Sequence, residues 1–325
     1  MLKVRGLTKT FRSRRNTVEA VRGVDIDVDD GELIGFLGPN GAGKSTSIRM
    51  LSTLLRPTAG EAVVGGCDLL ADPMGVRRRI GYVGQGNGAG LNQRVGEELE
   101  SHAGLYDIGR REARRRVGDL LDRYELGGMA GRKVSTLSGG QRRRLDIVMG
   151  VLHQPSLVFL DEPSAALDPQ SRSNLWDHIR SLNREQGVTV FLTTHYLDEA
   201  DALCERILVI DGGKIIDEGT PDGLKRKVAG DLVTIASTEP AAAAEVAARF
   251  PGAGDVAVDE TTASFRLRGS HGDQAVPDLV RALDDVGVPV SSVRTERPTL
   301  DDVFLSLTGR TLRDDSGDQT KEETA

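Results

Sequence analysis

Short, almost wholly apolar runs recur along the first two thirds of the chain, separated by helical patterns and glycine-rich turns. The clearest runs are residues 33–37, 157–160, 189–192 and 207–210. Runs without polar alternation are typical of strands that are buried on both faces of a parallel sheet. Because helical stretches lie between them, the pattern predicts a layered α/β core from Met1 to about Asp222.

The stretch of about 92–154 has a different pattern, in which helical spacing replaces the short apolar runs. Within it, residues 110–116 are rich in arginine. The pattern predicts a helical subdomain of about 88–155 inserted in the α/β core. We expect the arginine run to be a solvated helix face; contact with a partner or with anionic lipid is the alternative.

From about Asp231 the composition shifts towards Ala, Val and Asp, which marks a second domain. Its pattern predicts strand 232–236, helix 241–250, strands 256–258 and 264–267, helix 274–286 and strand 288–293. The order β-α-β-β-α-β indicates a small split-βαβ domain of the α+β class. We therefore expect domains at 1–225 and 226–310, followed by a disordered acidic tail at 311–325.

A last amphipathic helix is predicted just before that tail. Thr299 is suited to cap it, with Asp302 three residues later. Its apolar stripe consists of Leu300, Val303, Phe304 and Leu307. Such a stripe is expected to pack against another element.

Composition narrows the class of protein. A chain of 325 residues is long enough for about two domains, and it has no apolar run of ~18 residues that would span a bilayer. The first residues lack the apolar core of a signal peptide, which favours the cytoplasm. The net charge of -7 weakly disfavours a duplex DNA binder. Cys67 and Cys204 are far apart, so we expect two reduced thiols.

Residues 38–45 carry a phosphate-binding pattern. They read Gly-Pro-Asn-Gly-Ala-Gly-Lys-Ser, follow the predicted strand 33–37, and match G-x-x-x-x-G-K-[ST]. Glycines let backbone N–H groups surround phosphate oxygens, Lys44 brings a positive charge to the β- and γ-phosphates, and Ser45 offers a hydroxyl to Mg²⁺. A helical pattern follows at Ile48, Leu51, Leu54 and Leu55. The strand–loop–helix order therefore predicts nucleotide binding, with the helix N-terminus facing the anion.

Two carboxylates end the predicted strand 157–160. Asp161 is expected to help hold Mg²⁺, and Glu162 to act as the general base on the attacking water. His195 follows another predicted strand, from which its ring is placed to contact the γ-phosphate and to orient Glu162. The remaining histidines lack such a setting and are expected to be structural or surface residues: His102, His153, His178 and His271.

A second glycine-opened helix N-terminus lies at Ser138, Gly139 and Gly140. Leu145, Val148, Met149 and Leu152 continue it on one helical face. Such an N-terminus is a second anion site. One chain does not need two, whereas in a head-to-tail dimer each chain's second site closes over the other chain's nucleotide.

At this point the sequence closely resembles the ATP-binding cassette (ABC) ATPases over about residues 1–225. Residues 137–141, Leu-Ser-Gly-Gly-Gln, look like the family's signature motif; 38–45 and 157–162 are similar to its Walker A and Walker B motifs. Residues 164–168 look like the D-loop, which ends in Asp168. Gln85 matches the Q-loop glutamine, His195 the switch histidine, and Phe11 the aromatic residue that stacks on adenine.

Two departures from the family pattern concern loops. Gly84 stands where a proline often precedes the Q-loop glutamine, and Gly86, Gly88 and Gly90 follow, which makes this joint flexible and leaves Gln93 as a weak rival of Gln85. The D-loop has Ala165-Ala166 where many relatives carry a glycine. Neither departure removes a catalytic group.

The resemblance implies a P-loop NTPase fold of the ABC type, with ATP and Mg²⁺ as cofactors. It implies catalytic roles for Lys44, Glu162 and His195, and metal binding by Ser45, Gln85 and Asp161. The nucleotide-binding residues that it implies are Phe11, Gly38, Pro39, Asn40, Gly41, Ala42, Gly43, Lys44, Ser45, Thr46, Gln85, Ser138, Gly139, Gly140, Gln141 and Asp168. The implied partners are a second cassette and a separate transmembrane permease that places the chain at the cytoplasmic face of the membrane; no nucleic acid is expected.

Three kinds of ABC protein carry motifs of this type. A DNA-repair or chromosome ATPase carries a long coiled coil between Walker A and the signature, whereas this chain has only about ninety residues there and no sustained heptads. A ribosome-acting factor carries two tandem cassettes, and this chain has one. Residues 298–309 look like the C-terminal segment of the daunorubicin/doxorubicin-resistance ATPases. We therefore expect a subunit that drives efflux of a drug or another hydrophobic compound, rather than import.

Overall fold

A computed structural model describes residues 1–13, 16–86, 88–228, 230–267 and 272–309. The chain divides into two units, Met1–Glu218 and Gly219–Ala325. The sequence predicts the domain boundary slightly later, at residue 225. His271 and the tail 311–325 lie outside the described residues, so the expectations about them stay predictions.

The first unit contains an antiparallel sheet, a mainly parallel sheet and their helices. Its strands are β1 (Leu2–Arg12), β2 (Thr17–Val28), β3 (Leu33–Leu37), β4 (Ala59–Val64), β5 (Cys67–Asp68), β6 (Ile80–Val83), β7 (Leu157–Asp161), β8 (Thr189–Thr194), β9 (Arg206–Asp211) and β10 (Lys214–Gly219). Its helices are α1 (Lys44–Leu51), α2 (Pro73–Arg79), α3 (Val95–Gly104), α4 (Arg110–Arg123), α5 (Gly139–Val151), α6 (Pro169–Arg184) and α7 (Leu197–Leu203).

The mainly parallel sheet has the order β10-β9-β3-β8-β7-β6 and confirms the layered α/β core. Strands β3, β7 and β8 are buried along their whole length, as their apolar runs predicted. The parallel register pairs Leu37 with Thr194 and Asp161 with Thr193. The carboxyl ends of these three strands therefore meet at one edge, where the phosphate loop, Glu162 and His195 follow them.

The antiparallel sheet, with the order β2-β1-β4-β5, was not predicted. On β1, Leu2 and Val4 lie on the same face and pack into the core that also contains Phe36 and Ile48. The sheet also abuts the phosphate loop, because a Cβ on Gly43 would lie 2.5 Å from the carbonyl oxygen of Ala20.

The helical subdomain is present as α3, α4 and α5. On α4, Arg115 pairs with Glu112 at 2.7 Å and with Asp119 at 2.9 Å, and Arg116 pairs with Glu112 at 2.7 Å. Hydrogen bonds from Arg115 and Arg116 lower the pKa of Glu112 to about 2. The arginine run thus lies on an exposed helix face among acidic neighbours.

Helix α1 is shorter than the apolar spacing predicted. It ends at Leu51, and Thr53 adopts a left-handed φ of 65° two residues later. The extension of the helix to Leu54 and Leu55 was wrong, and Leu54 is 60% exposed.

The second unit confirms the predicted β-α-β-β-α-β order. Its elements are α8 (Pro221–Val228), β11 (Asp231–Ser237), α9 (Pro240–Arg249), β12 (Ala253–Val258), β13 (Thr262–Leu267), α10 (Gly272–Asp285), β14 (Val290–Glu296) and α11 (Leu300–Thr308). The antiparallel sheet has the order β12-β13-β11-β14. Its core joins Val233, Ile235 and Phe265 to Ala247 of α9 and Leu283 of α10.

Helix α11 begins with the predicted capping box of Thr299 and Asp302. Leu300, Val303 and Phe304 are buried, and the helix packs on α8. Leu307 does not belong to the buried stripe, since it is 38% exposed. Among the described helices of the chain, none is both long and apolar enough to cross a membrane.

Candidate active site

The phosphate loop connects the end of β3 to the start of α1 and encloses the Lys44 side chain, which is 3% exposed. Its Nζ donates to the carbonyl oxygens of Gly38 at 2.7 Å and Pro39 at 2.9 Å. Burial lowers the pKa of Lys44, while the nearby Glu162 opposes that shift. Gly38 must be glycine, because a Cβ there would lie 2.2 Å from the carbonyl oxygen of Ile210. The loop thus holds an ammonium group at the N-terminus of α1.

Asp161, at the end of β7, organises a cluster of oxygen atoms. Its Oδ1 accepts hydrogen bonds from Ser45 Oγ at 2.9 Å and from Thr193 Oγ1 at 2.8 Å. Gln85 Nε2 donates to Ser45 Oγ at 3.1 Å. Asp161 is fully buried, and its Oδ2 has no hydrogen-bond partner among the described residues. The structure therefore brings all three predicted metal-binding residues together.

Glu162 lies between Lys44 and His195. Its Oε1 is 3.5 Å from Lys44 Nζ and 3.3 Å from His195 Nδ1. A left-handed φ of 47° turns the residue away from the strand direction, and its N–H donates to the carbonyl oxygen and to Oγ1 of Thr193, each at 3.1 Å. Burial raises the pKa of Glu162, but hydrogen bonding by His195 and the charge of Lys44 outweigh burial and leave it lowered. Glu162 therefore stays ionised, as a proton acceptor must.

The pKa of Glu162 predicts how hydrolysis depends on pH. The base must be ionised, so the acid limb of the single-turnover rate is expected below the ordinary pKa of 4.5. The same depressed pKa stabilises the fold above that pH, and this stabilisation is lost as pH falls through the folded-state value. In His195→Ala, loss of the ring is expected to shift the acid limb of the residual hydrolysis to a higher pH. If the acid limb stayed at the same pH, His195 would not set the pKa of Glu162.

His195 is held in place by a stack of side chains. Its ring lies 4.1 Å from the ring of Tyr196, centroid to centroid, and the guanidinium of Arg172 lies 4.6 Å from the centroid of Tyr196. Arg172 also pairs with Asp198 at 3.4 Å. The stack connects His195 with α6, the helix that follows the D-loop.

The second glycine-opened helix N-terminus is well formed. Ser138 Oγ accepts from Gln141 N–H at 3.2 Å, and Gln141 Oε1 accepts from Ser138 N–H at 3.0 Å, which completes a capping box on α5. A Cβ on Gly140 would lie 2.7 Å from Ser171 Oγ, and Ser171 N–H donates to Asp168 at 2.9 Å. The signature residues and Asp168 therefore adjoin one another.

Contacts in the described part of the chain join Lys44, Ser45, Gln85, Asp161, Glu162 and His195. They do not join Phe11 or the capped end of α5 to this group. Phe11 lies on β1, 44% exposed, with Lys9 Nζ 5.2 Å from its ring centroid.

The other predicted nucleotide-binding residues belong to the phosphate loop and the first turn of α1. They are Asn40, Gly41, Ala42, Gly43 and Thr46, beside Gly38 and Pro39. Their assignment to nucleotide, like that of Phe11 and Gly139, remains a prediction.

Three buried polar residues were missed by the sequence analysis. Thr193 bonds both acidic residues, Arg143 donates to backbone around them, and Asp146 accepts from Gly88 N–H at 2.9 Å. Thr193 could have been identified from the sequence, since it is a polar residue in a strand that is buried along its whole length. No sequence feature distinguishes Arg143, because it is one of three consecutive arginines.

The histidines His102, His153 and His178 pack on tyrosines. His153 stacks on Tyr106 with centroids 3.8 Å apart, and His178 lies 5.0 Å from Tyr124. Burial lowers the pKa of each of these three histidines. Both cysteines are free and buried.

Comparison with known proteins places this geometry in a family. Residues 21–165 match the ABC transporter family, and residues 219–308 match the C-terminal domain of DrrA1-3-like ATP-binding proteins. The daunorubicin resistance ATP-binding protein DrrA3 of Streptomyces coeruleorubidus is 43% identical over 90% of this chain and 92% of its own. The daunorubicin/doxorubicin resistance ATP-binding protein DrrA of Streptomyces peucetius is 40% identical over 98% and 95%.

A solved structure has the same fold as the first unit. The dimeric ATP-binding cassette MJ0796, bound to ADP and phosphate, superimposes with a TM-score of 0.63 at 28% identity and covers 68% of this chain and 98% of its own. The P-loop cassette fold and the resemblance expected from the motifs are thus both confirmed. The chain belongs to the ABC transporter family, as an ATP-hydrolysing subunit that carries the C-terminal domain of the DrrA1-3-like ATP-binding proteins.

Proposed function

We propose that two copies of this chain form a head-to-tail dimer that binds two ATP molecules, hydrolyses them and drives a separate membrane permease. The observation that carries this proposal is the convergence of Lys44, Glu162 and His195 beside the Ser45–Asp161 pair. An ammonium group that binds phosphates and a proton acceptor for water suit phosphoryl transfer to water, and the imidazole is placed to orient that acceptor.

The oxygen cluster around Asp161 fits a Mg²⁺ ion. The Asp161 carboxylate and the Ser45 hydroxyl are hard oxygen ligands of the kind that Mg²⁺ prefers, and the buried, unpartnered Oδ2 of Asp161 is an anionic group that a cation would satisfy. Ser45, Gln85 and Asp161 would hold it. Bound with ATP, Mg²⁺ neutralises charge on the β- and γ-phosphates.

Hydrolysis then follows from the residues of the chain. Glu162 accepts a proton from water as the water oxygen bonds to the γ-phosphorus and the bond to the bridging oxygen of ADP breaks. Lys44 stabilises negative charge on the phosphates, and His195 keeps Glu162 oriented. Thr193 supports both acidic residues, since it bonds Asp161 Oδ1 and the N–H of Glu162.

The dimer is supported by the capped end of α5. This N-terminus carries the partial positive charge of a helix, and among the described residues no hydrogen bond or ion pair joins it to the phosphate loop of its own chain. Gly140 adjoins Ser171 and Asp168, so the signature motif and the D-loop form one continuous surface. In a head-to-tail pair, that surface covers the γ-phosphate held by the partner chain.

A groove beside the Gln85 loop is the proposed docking surface for the permease, which would place the chain on the cytoplasmic face of the membrane. The groove has a volume of about 540 Å³. Its lining includes Leu54, Arg77, Tyr82, Leu105, Tyr106 and Met149. Leu54 is 60% exposed and Leu105 78% exposed, so apolar surface is available to a partner.

Leu105→Asp tests this surface. A buried interface leucine contributes about 1.5–3 kcal/mol, so the variant is expected to copurify with the permease at least about tenfold less well. Leu70→Asp is the matched control, because Leu70 is 49% exposed and does not line the groove. Equal copurification of the two variants would place the permease elsewhere.

The proposed cargo is a drug, an antibiotic or a related hydrophobic compound, as the names of the relatives suggest. Reconstitution of the chain with its permease in vesicles tests this. ATPase activity should rise with such a compound, and the compound should be moved in an ATP-dependent way. Stimulation by DNA ends or ribosomes without any permease would contradict the transport function.

A further inference from the structure

The loop that carries Gln85 has little rigidity of its own. Gly84 and Gly86 flank Gln85, and Gly88 follows, so the backbone has unusual conformational freedom. Nevertheless Gln85 Nε2 reaches Ser45 Oγ at 3.1 Å. Other parts of the molecule must therefore fix the loop.

Arg143, on α5, holds the beginning of that loop. It is 7% exposed, and its guanidinium donates to Gly84 O at 2.6 Å. The same group donates to Pro163 O at 2.7 Å, Asp161 O at 3.2 Å and Glu162 O at 3.3 Å. The planar guanidinium of Arg143 thus connects the start of the Gln85 loop to the backbone of both acidic site residues.

Asp146 holds the end of the loop. It lies one helical turn after Arg143 on α5, is 6% exposed, and its Oδ1 accepts from Gly88 N–H at 2.9 Å. Burial raises the pKa of Asp146, while the Gly88 amide and Arg143 oppose that shift. A buried acid and a buried base both cost desolvation free energy, which their bonds to loop backbone offset.

We propose that Arg143 and Asp146 are positioning residues that clamp the two ends of the Gln85 loop onto α5, so that Gln85 meets the Ser45–Asp161 metal site. This rests on the proposed metal role of that site. Helix α5 begins at the signature serine, Ser138. The helix that grips the partner's phosphate therefore also sets the glutamine of its own chain's metal site.

The test compares Asp146→Leu with Asp146→Asn in the full chain. Asn keeps an oxygen acceptor for Gly88 N–H, whereas Leu has a similar size and no acceptor. The readouts are the Mg²⁺ concentration for half-maximal ATPase activity, ATP binding in EDTA, and the melting temperature. Asp146→Leu is expected to raise the half-activating Mg²⁺ concentration roughly tenfold or more, and Asp146→Asn to change it by less than about threefold.

Arg143→Met and Arg143→Lys form a second pair, in which Met is expected to raise the Mg²⁺ requirement more than Lys does. ATP binding in EDTA should stay as in the wild type in all four variants. A merely structural role would lower the melting temperature and leave the half-activating Mg²⁺ concentration unchanged, which would overturn the inference. If the wild type itself showed no Mg²⁺-dependent hydrolysis, the proposed metal role would fail, and the clamp with it.

Discussion

Glu162→Gln is expected to lower steady-state ATP hydrolysis by about two to four orders of magnitude, the range over which a positioned general base contributes. The amide keeps the shape of the side chain but cannot accept the proton of the attacking water. ATP binding should survive, because Lys44 keeps its bonds to Gly38 O and Pro39 O and the phosphate loop is unchanged. The measurements are kcat by phosphate release and Kd for ATP by fluorescence titration.

Glu61→Gln is the control for this variant, since Glu61 is an exposed residue of β4. It should hydrolyse ATP as the wild type does. Near-normal turnover by Glu162→Gln would assign the base elsewhere. Loss of ATP binding would mean that Glu162 mainly holds Lys44 rather than serving the water.

Lys44→Ala is expected to weaken ATP binding roughly a hundredfold or more, because charge-assisted hydrogen bonds contribute about 1.5–3 kcal/mol each. The variant also removes the counter-charge 3.5 Å from Glu162. Loss of that charge removes one of the causes that lower the pKa of Glu162, so this pKa should rise and residual hydrolysis should be lost at a higher pH than in the wild type.

The exposed residue Lys214 on β10 supplies the control for that experiment. Lys214→Ala should leave the Kd for ATP unchanged in isothermal titration. Equal affinities for all three proteins would show that the ammonium group of Lys44 does not bind the phosphates.

The sequence predicts the parallel sheet and the groups at its edge because each has a strong local signal. An apolar run indicates each of β3, β7 and β8. The phosphate loop with Lys44 follows β3, and Glu162 and His195 come directly after β7 and β8. Local capping chemistry likewise predicts the start of α11 from Thr299 and Asp302.

Contacts between residues that are far apart in the sequence could not be predicted from it. Residues Arg143 and Gly84 are 59 positions apart, and only the folded chain shows that the guanidinium reaches that carbonyl oxygen. The antiparallel sheet was missed for a similar reason, since β4 pairs with β1 across a separation that no local pattern spans. Spacing alone also placed Leu54 in helix α1 and Leu307 in the packed stripe of α11, yet Leu54 lies beyond the end of α1 and both side chains are exposed.

The central claim is that hydrolysis occurs in a pair of cassettes, each completing the site of the other. Its most direct test is the mass of the Glu162→Gln chain in saturating ATP, measured by light scattering, together with its bound nucleotide. A dimer that holds two unhydrolysed ATP molecules is expected, and it should dissociate when Ser138→Arg is added to the same chain. A monomer that binds ATP fully, or a dimer indifferent to Ser138→Arg, would contradict it.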